Sequence, residues 1–130
     1  MHLKKFLEWI GLKKKLDSST QKIPHVNEAE VWWVSLGENV GFEINGKSKL
    51  FTRPVLVFRK LSKTFYLVIP LTTKPHMGTW YVNYEYQGKA ITACLHQVRS
   101  VDYRRFSTKL GALDSLNFER IRIGFRKLYH

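Results

Sequence analysis

The sequence predicts a mainly β domain, a small antiparallel barrel or sandwich with a helix at its C-terminal end, and three observations carry that prediction. Five short runs of β-type residues follow one another with no helix-length pattern between them. Two of the runs are separated by Gln87-Gly88, which has the length and chemistry of a hairpin turn. Beyond residue 114 the pattern changes to one apolar side chain every three or four positions.

The five runs are Val31 to Leu36, Pro54 to Lys60, Phe65 to Pro70, Thr79 to Tyr86 and Lys89 to Leu95, and strand-forming residues dominate them. Pro54 can open its run because a missing N–H is harmless at the first position of a strand. In the fourth run Trp80, Val82, Tyr84 and Tyr86 share one face, with Tyr81, Asn83 and Glu85 on the other. Arg104 to Leu110 reads as a short helix closed by Gly111, whose tolerance of positive φ suits a C-cap. Asp114 or Ser115 then N-caps a final helix. Its stripe of Phe118, Ile121, Phe125 and Leu128 closes the barrel or joins a dimer interface. Its basic face, with Arg120, Arg122, Arg126 and Lys127, is either solvated surface or an RNA contact.

At the other end, Leu3, Phe6, Leu7 and Ile10 recur at helical spacing among lysines, which predicts a basic amphipathic helix weakened at Gly11. The polar stretch Asp17 to Lys22 and Pro24 read as a linker. Residues 1–27 are therefore read as an appendage and residues 28–130 as the domain. The helix docks on the barrel or a partner chain, or touches a membrane or RNA.

A chain of 130 residues has room for one core, which excludes a second catalytic domain. Its formal net charge of +12 favours a polyanionic partner: RNA, DNA, an anionic membrane surface or an acidic protein. Cys94 is the only cysteine, so no intramolecular disulfide or thiolate zinc cluster can form, and a reducing compartment is expected. That thiol is read as core packing. No apolar run reaches the roughly 18 residues of a membrane span and no signal peptide is recognisable, so the expected location is cytoplasmic. No metal-ligand spacing and no cofactor motif is found.

Three junctions bring polar groups to the ends of apolar runs. Residues 37–49 form a long, Gly-punctuated basic loop, of the kind that is usually functional or mobile. Arg53 sits directly before Pro54, which holds its backbone extended and sends its side chain from the barrel rim, to a functional site or a surface ion pair. Ile69-Pro70-Leu71-Thr72-Thr73-Lys74 runs out of a strand into two hydroxyls and an ammonium, a donor set suited to phosphate or a plain turn cap.

Five segments in order resemble the MazF/PemK family of toxin endoribonucleases from type II toxin–antitoxin systems. They are Glu30-Val31-Trp32-Trp33-Val34, Val40-Gly41-Phe42-Glu43, Thr52-Arg53-Pro54-Val55-Leu56-Val57, Ile69-Pro70-Leu71-Thr72-Thr73 and His96-Gln97-Val98-Arg99-Ser100-Val101-Asp102. The resemblance implies an SH3-like barrel with a C-terminal helix. It also implies a homodimer that binds single-stranded RNA in a groove and is neutralised by a cognate antitoxin. The sequence departs from the family in three places: the Glu-Gln-x-Gly-x-Arg-Pro stretch is lengthened between Glu43 and Arg53, with Ile44 in place of Gln; His96 stands where many members have an acidic residue; and the N-terminal helix lies outside the family core.

The activity implied is metal-independent, sequence-selective cleavage of RNA, in which the 2′-OH attacks its own phosphate to leave a 2′,3′-cyclic phosphate and a 5′-OH. Such a site must stabilise charge on the phosphorane and move two protons. Arg53, always charged and able to pair donors with phosphate oxygens, suits the first task. Thr72 matches the family's catalytic threonine. For the base, Glu43 matches a family glutamate, while His96 is of the residue type that ordinarily titrates near neutrality or is a structural histidine at the barrel end. Asn45, Lys47, Lys49, Thr73, Lys74, Gln97 and Arg99 are the expected RNA contacts, although Arg99 has Asp102 as an alternative partner. Unpaired RNA is expected because its splayed bases expose their edges and faces. Two other readings remain: a non-catalytic nucleic-acid-binding barrel, with Trp33, Tyr81 and Tyr84 as stacking surfaces or as core, and a toxin of this fold that poisons a protein target such as a topoisomerase.

Overall fold

A computed structural model describes residues 25–36 and 52–129. The expected N-terminal helix and the loop of residues 37–49, with Glu43, Asn45, Lys47 and Lys49, lie outside the described residues. Within them are seven strands and one α-helix: β1 (Glu30–Ser35), β2 (Thr52–Lys60), β3 (Phe65–Thr72), β4 (Tyr81–Tyr86), β5 (Lys89–Cys94), β6 (Arg99–Asp102), β7 (Phe106–Ala112) and α1 (Ser115–Leu128). No helix among them is long and apolar enough to cross a membrane.

All strand pairs are antiparallel, and β6, β3, β2, β1 and β7 lie side by side in that order. Laid flat, five such strands would put the outer two about 19 Å apart. Yet β6 and β7 are joined by a single 3₁₀ turn, Tyr103–Arg105, and three residues reach at most roughly 10 Å. The sheet must therefore curl until its margins meet, which makes a small barrel. One cluster fills it with side chains from all five strands: Trp32 and Val34, Val55 and Val57, Tyr66 and Val68, Val101, and Phe106. Trp32 and Tyr66 each meet Phe106 edge-on, with ring centroids 5.5 and 5.2 Å apart, an arrangement favoured by the ring quadrupoles.

The intervening residues of the same strands point outward to a second core. Val31, Leu56, Phe58, Ile69 and Leu71 pack there with Tyr84, Ile91, Ala93 and Leu95 of the β4–β5 side and with Ile121 of α1. Both faces of β2 are thus covered, which explains why Val55 to Phe58 is an unbroken apolar run. The β4–β5 hairpin turns at Gln87 and Gly88, with φ of 51° and 80°, the left-handed pair that a two-residue hairpin needs. It joins the barrel through β3, whose first half pairs with β6 and whose end, Leu71 and Thr72, pairs with Ala93 and Thr92 of β5.

The C-terminal helix is capped by Asp114, whose carboxylate accepts the backbone N–H of Asn117. Phe118, Ile121, Phe125 and Leu128 face the second core as their spacing predicts, with Phe125 4.5 Å from the Phe58 ring. On the opposite face Arg120, Arg122, Arg126 and Lys127 are exposed.

Two expectations are corrected. Arg104 to Leu110 is not a helix: it contains the end of the 3₁₀ turn and most of β7, which pairs with β1. Gly111 is accordingly a strand residue rather than a C-cap, and the Tyr86 hydroxyl occupies the space that a Cβ would fill. A glycine inside a strand commonly marks such a close approach. Gly111→Ala is expected to lower stability by about 1–3 kcal/mol through overpacking. Urea unfolding measures it, and an unchanged midpoint would refute the packing role. The short strand β6 was not anticipated, and the fourth strand begins at Tyr81, leaving Trp80 before it.

Candidate active site

The site is built where β2 begins and β3 ends. Val55 pairs with Pro70 across the two strands, and continuing that register brings Arg53 opposite Thr72. Pro54 is buried and fixes the entry to β2, while Arg53 itself is half-buried and pairs by register with Val34 of β1. Its guanidinium turns along the rim: Nη2 donates to the Leu71 carbonyl at 3.3 Å and Nη1 to Gln97 Oε1 at 3.5 Å. Arg53 and Thr72, the residue after Leu71, are thus held at one rim.

The Thr72 hydroxyl accepts the backbone N–H of Lys74 at 3.1 Å. A hydroxyl that accepts one bond keeps its own hydrogen to donate. That bond bends the chain sharply beyond β3, so half-buried Thr73 and exposed Lys74 follow within the same turn. Behind the rim lies Cys94, a buried free thiol. Burial pushes it above the ordinary thiol range, and the charge and hydrogen bond of Arg53 only partly oppose this. It behaves as a neutral packing group, as expected from the sequence.

His96 and Gln97 lie in a 3₁₀ turn, Leu95–Gln97, that follows β5. The Gln97 amide nitrogen is 3.3 Å from His96 Nε2, which links His96 through Gln97 to Arg53. The other ring nitrogen, Nδ1, is buried and has no hydrogen-bond partner among the described residues. His96 is therefore not a fully satisfied structural histidine. Its ring lies against Trp80, with centroids 4.9 Å apart, and meets Tyr81 edge-on at 5.2 Å. Tyr81 in turn stacks on His76 at 4.6 Å.

Arg99 sits opposite Val68 on β6, several residues back along β3 from Thr72, so the register does not bring its backbone to the rim. Nor does Asp102 pair with it: that carboxylate is taken by Arg104 at 2.9 Å, whose hydrogen bonds hold it below the usual carboxylate range. Of the aromatics weighed as stacking surfaces, Tyr84 is buried and Trp33 packs against the second core. Tyr81 alone of the three joins the His96 group. Nothing in the residue pattern singles out His76, and Trp80 falls by pattern on a strand face rather than beside His96. Loop residues carry no periodicity, and only the density of aromatic and imidazole rings between Pro75 and Tyr81 marked the segment.

Among the described residues no three His, Cys, Asp or Glu side chains gather as they would around a metal ion. The rim carries a cation held by Leu71 and Gln97, and the Thr72 hydroxyl and Lys74 follow at the end of β3. An imidazole stands beyond the amide.

Comparison with solved structures places the fold in company. MazF from Deinococcus radiodurans superimposes with a TM-score of 0.63 at 17% identity, over 83% of this chain and 97% of that one. The MazE–MazF complex from the same organism gives 0.64 at 16% identity, over 83% and 96%. An endoribonuclease in complex with its cognate antitoxin, from a mycobacterial species, gives 0.59 at 10% identity, over 78% and 92%. Likeness at such identities is likeness of fold. No curated protein sequence matches the chain. The sequence profile of the PemK-like, MazF-like toxins of type II toxin–antitoxin systems matches residues 27–129, nearly the whole of the described barrel and helix, and the chain belongs to that family.

Proposed function

We propose that this toxin is an endoribonuclease that cuts single-stranded RNA at selected sequences without a metal ion. The observation that carries the reading is the Arg53 guanidinium held at the rim beside Thr72 by the Leu71 carbonyl. A scissile phosphate laid there meets both groups. The 2′-OH loses its proton to a base and its oxygen bonds to phosphorus. The bond to the 5′ oxygen breaks, and that oxygen takes a proton. Arg53 offsets the charge that builds on the phosphorane, Thr72 donates a hydrogen bond to it, and Glu43 or His96 moves the protons. Thr73, Lys74, Gln97 and Arg99, with Asn45, Lys47 and Lys49, are proposed to hold the strand.

The net charge of +12 supports a polyanionic substrate, and structural neighbours named as endoribonucleases and as antitoxin complexes support the class of activity and partner. By the same analogy the toxin works as a cytoplasmic homodimer neutralised by an antitoxin.

The test is to incubate pure protein with a mixed RNA pool in excess EDTA and sequence the new ends. Discrete fragments bearing 2′,3′-cyclic phosphate and 5′-OH are expected. Intact RNA, or activity that EDTA removes and Mg²⁺ restores, would overturn the reading. A mobility shift without fragments would leave a binding module in its place.

A further inference from the structure

Beside the catalytic rim stands a large aromatic side chain that the fold does not use. Trp80 is 53% exposed, and its one ring contact among the described residues is with His96, tilted by 30°. The remaining surface faces water. An indole left in water is unfavourable unless something covers it.

The mount beneath this ring is rigid. The Trp80 carbonyl accepts the Leu95 N–H at 2.9 Å, and the next residue, Tyr81, is already paired with Cys94 of β5. The loop before it is pinned by Asn83 Nδ2, which donates to the His76 carbonyl at 3.0 Å, while Asn83 is itself held by the Thr92 hydroxyl. A ring fixed in this way loses little freedom when a flat ligand covers it. Met77, more exposed still at 86%, has neither the ring nor the mount.

The neighbours say what kind of ligand fits. From Trp80 the contacts run to His96, then to Gln97, then to Arg53. A chain of side-chain contacts thus joins the aromatic face to the cationic group proposed to hold the scissile phosphate, and Lys74 adds charge at the end of β3. A nucleotide, with an anion at one end and a flat ring at the other, matches that pairing of groups.

We propose that Trp80, backed by His96, is the stacking platform for a nucleobase next to the cleaved phosphate. This rests on the RNA-cleaving reading above and adds to it a specific base-binding subsite. Because every base has a π-face, the platform supplies affinity with little base preference, leaving sequence selection to polar contacts elsewhere.

The test separates the platform from the chemistry by using an all-2′-deoxy oligonucleotide, which lacks the attacking hydroxyl and cannot be cut. Its Kd is measured for the wild type, Trp80→Ala and Trp80→Phe, with and without one abasic position, alongside cleavage of the matching RNA. Trp80→Ala is expected to weaken binding roughly tenfold, and Trp80→Phe, which keeps a face, to restore most of it. The abasic position next to the cut site is expected to weaken the wild type and to have no added effect on Trp80→Ala, since both remove the same contact. An unchanged Kd for Trp80→Ala, or an abasic effect that persists in it, would overturn the platform even if RNA is cleaved. A Trp80-dependent Kd without RNA cleavage would support the platform and sink the nuclease reading. Lost affinity for antitoxin alone would give the face to a protein and overturn the proposal.

Discussion

Arg53→Ala will abolish RNA cleavage while the barrel stays folded. The argument for the first half is electrostatic. Removing one preorganised donor from a developing oxyanion typically costs about 10²- to 10³-fold in rate, and a guanidinium contributes charge as well as donors. The argument for the second half lies in what Arg53 touches. It is half-buried at a strand end, and its partners include the Leu71 carbonyl and the exposed Gln97 amide. The exposed Gln97 amide can turn to water once the guanidinium is gone. The Cys94 thiol behind it is already held neutral by burial, so losing the neighbouring charge leaves no ion stranded. Arg53→Lys should recover only part of the rate, because a compact ammonium lacks the planar fork of donors that fits phosphate oxygens in pairs. Single-turnover cleavage of a short RNA measures the rates, and circular dichroism with a thermal melt measures the fold. Cleavage by Arg53→Ala at the wild-type rate would remove the residue from the mechanism.

The largest loss of stability from a polar substitution is expected at Glu30, far from that chemistry. Glu30 is buried at the start of β1. Its carboxylate accepts from the Trp32 indole N–H at 2.9 Å, from the Asn27 backbone N–H at 2.9 Å, and from Lys109 of β7 at 3.1 Å. It therefore ties the entry of the chain to two strands of the barrel. Glu30→Ala strands the buried indole donor, and an unsatisfied buried group costs about 1–3 kcal/mol. The Lys109 end is half-exposed and adds little, as screened pairs do. We expect a total near 2–3 kcal/mol in urea unfolding; a loss under about 0.5 kcal/mol would show that the network is ornamental.

The same residue gives a pH dependence with a definite sign. Burial alone raises the Glu30 pKa, but the bonds from Asn27, Trp32 and Lys109 outweigh it, so the folded value lies below the ordinary 4.5. A group lowered on folding contributes stability above its unfolded value, and that contribution is lost as the pH falls through the folded value. Wild type should thus lose stability on acidification below about pH 4.5 more steeply than Glu30→Gln. Parallel curves for the two proteins would contradict the assignment.

The parts of this fold that are legible in the sequence are those where one residue reports one environment. Val55 to Phe58 is apolar throughout because both faces of β2 are covered, and the stripe from Phe118 to Leu128 meets a single core. Strand β7 is the instructive exception. Phe106 and Leu110 are four apart, which suggests a helix face, yet they serve different cores: Phe106 enters the barrel and Leu110 the cluster outside it. The switch is made by register shifts in the β1–β7 ladder, between Val31 and Trp32 and between Trp33 and Val34. Each bulge sets two residues of β7 against one of β1, which breaks the regular alternation of faces and erases the period of two. Strand β6 was missed for a plainer reason, since Val101 is its one buried residue.

At the site, Arg53 and Thr72 were visible because proline and paired hydroxyls at strand ends are local signals. The bond that brings them together was not. It runs through the Leu71 carbonyl, and a backbone acceptor looks the same at every position. Trp80 was legible as an aromatic, but its role turns on where β4 begins. One residue's difference in that boundary takes it from a strand face to the mouth of the site.

Strand β3 belongs to two structures at once, to the barrel through β2 and β6 and to the hairpin through β5. Thr72 is carried on this common spar, so the hairpin cannot swing away from the barrel without breaking the pairing of Leu71 and Thr72 with Ala93 and Thr92. Movement at the rim is left to side chains and to the turns beyond the strand, while the backbone spacing of Arg53 and Thr72 is set by the frame itself.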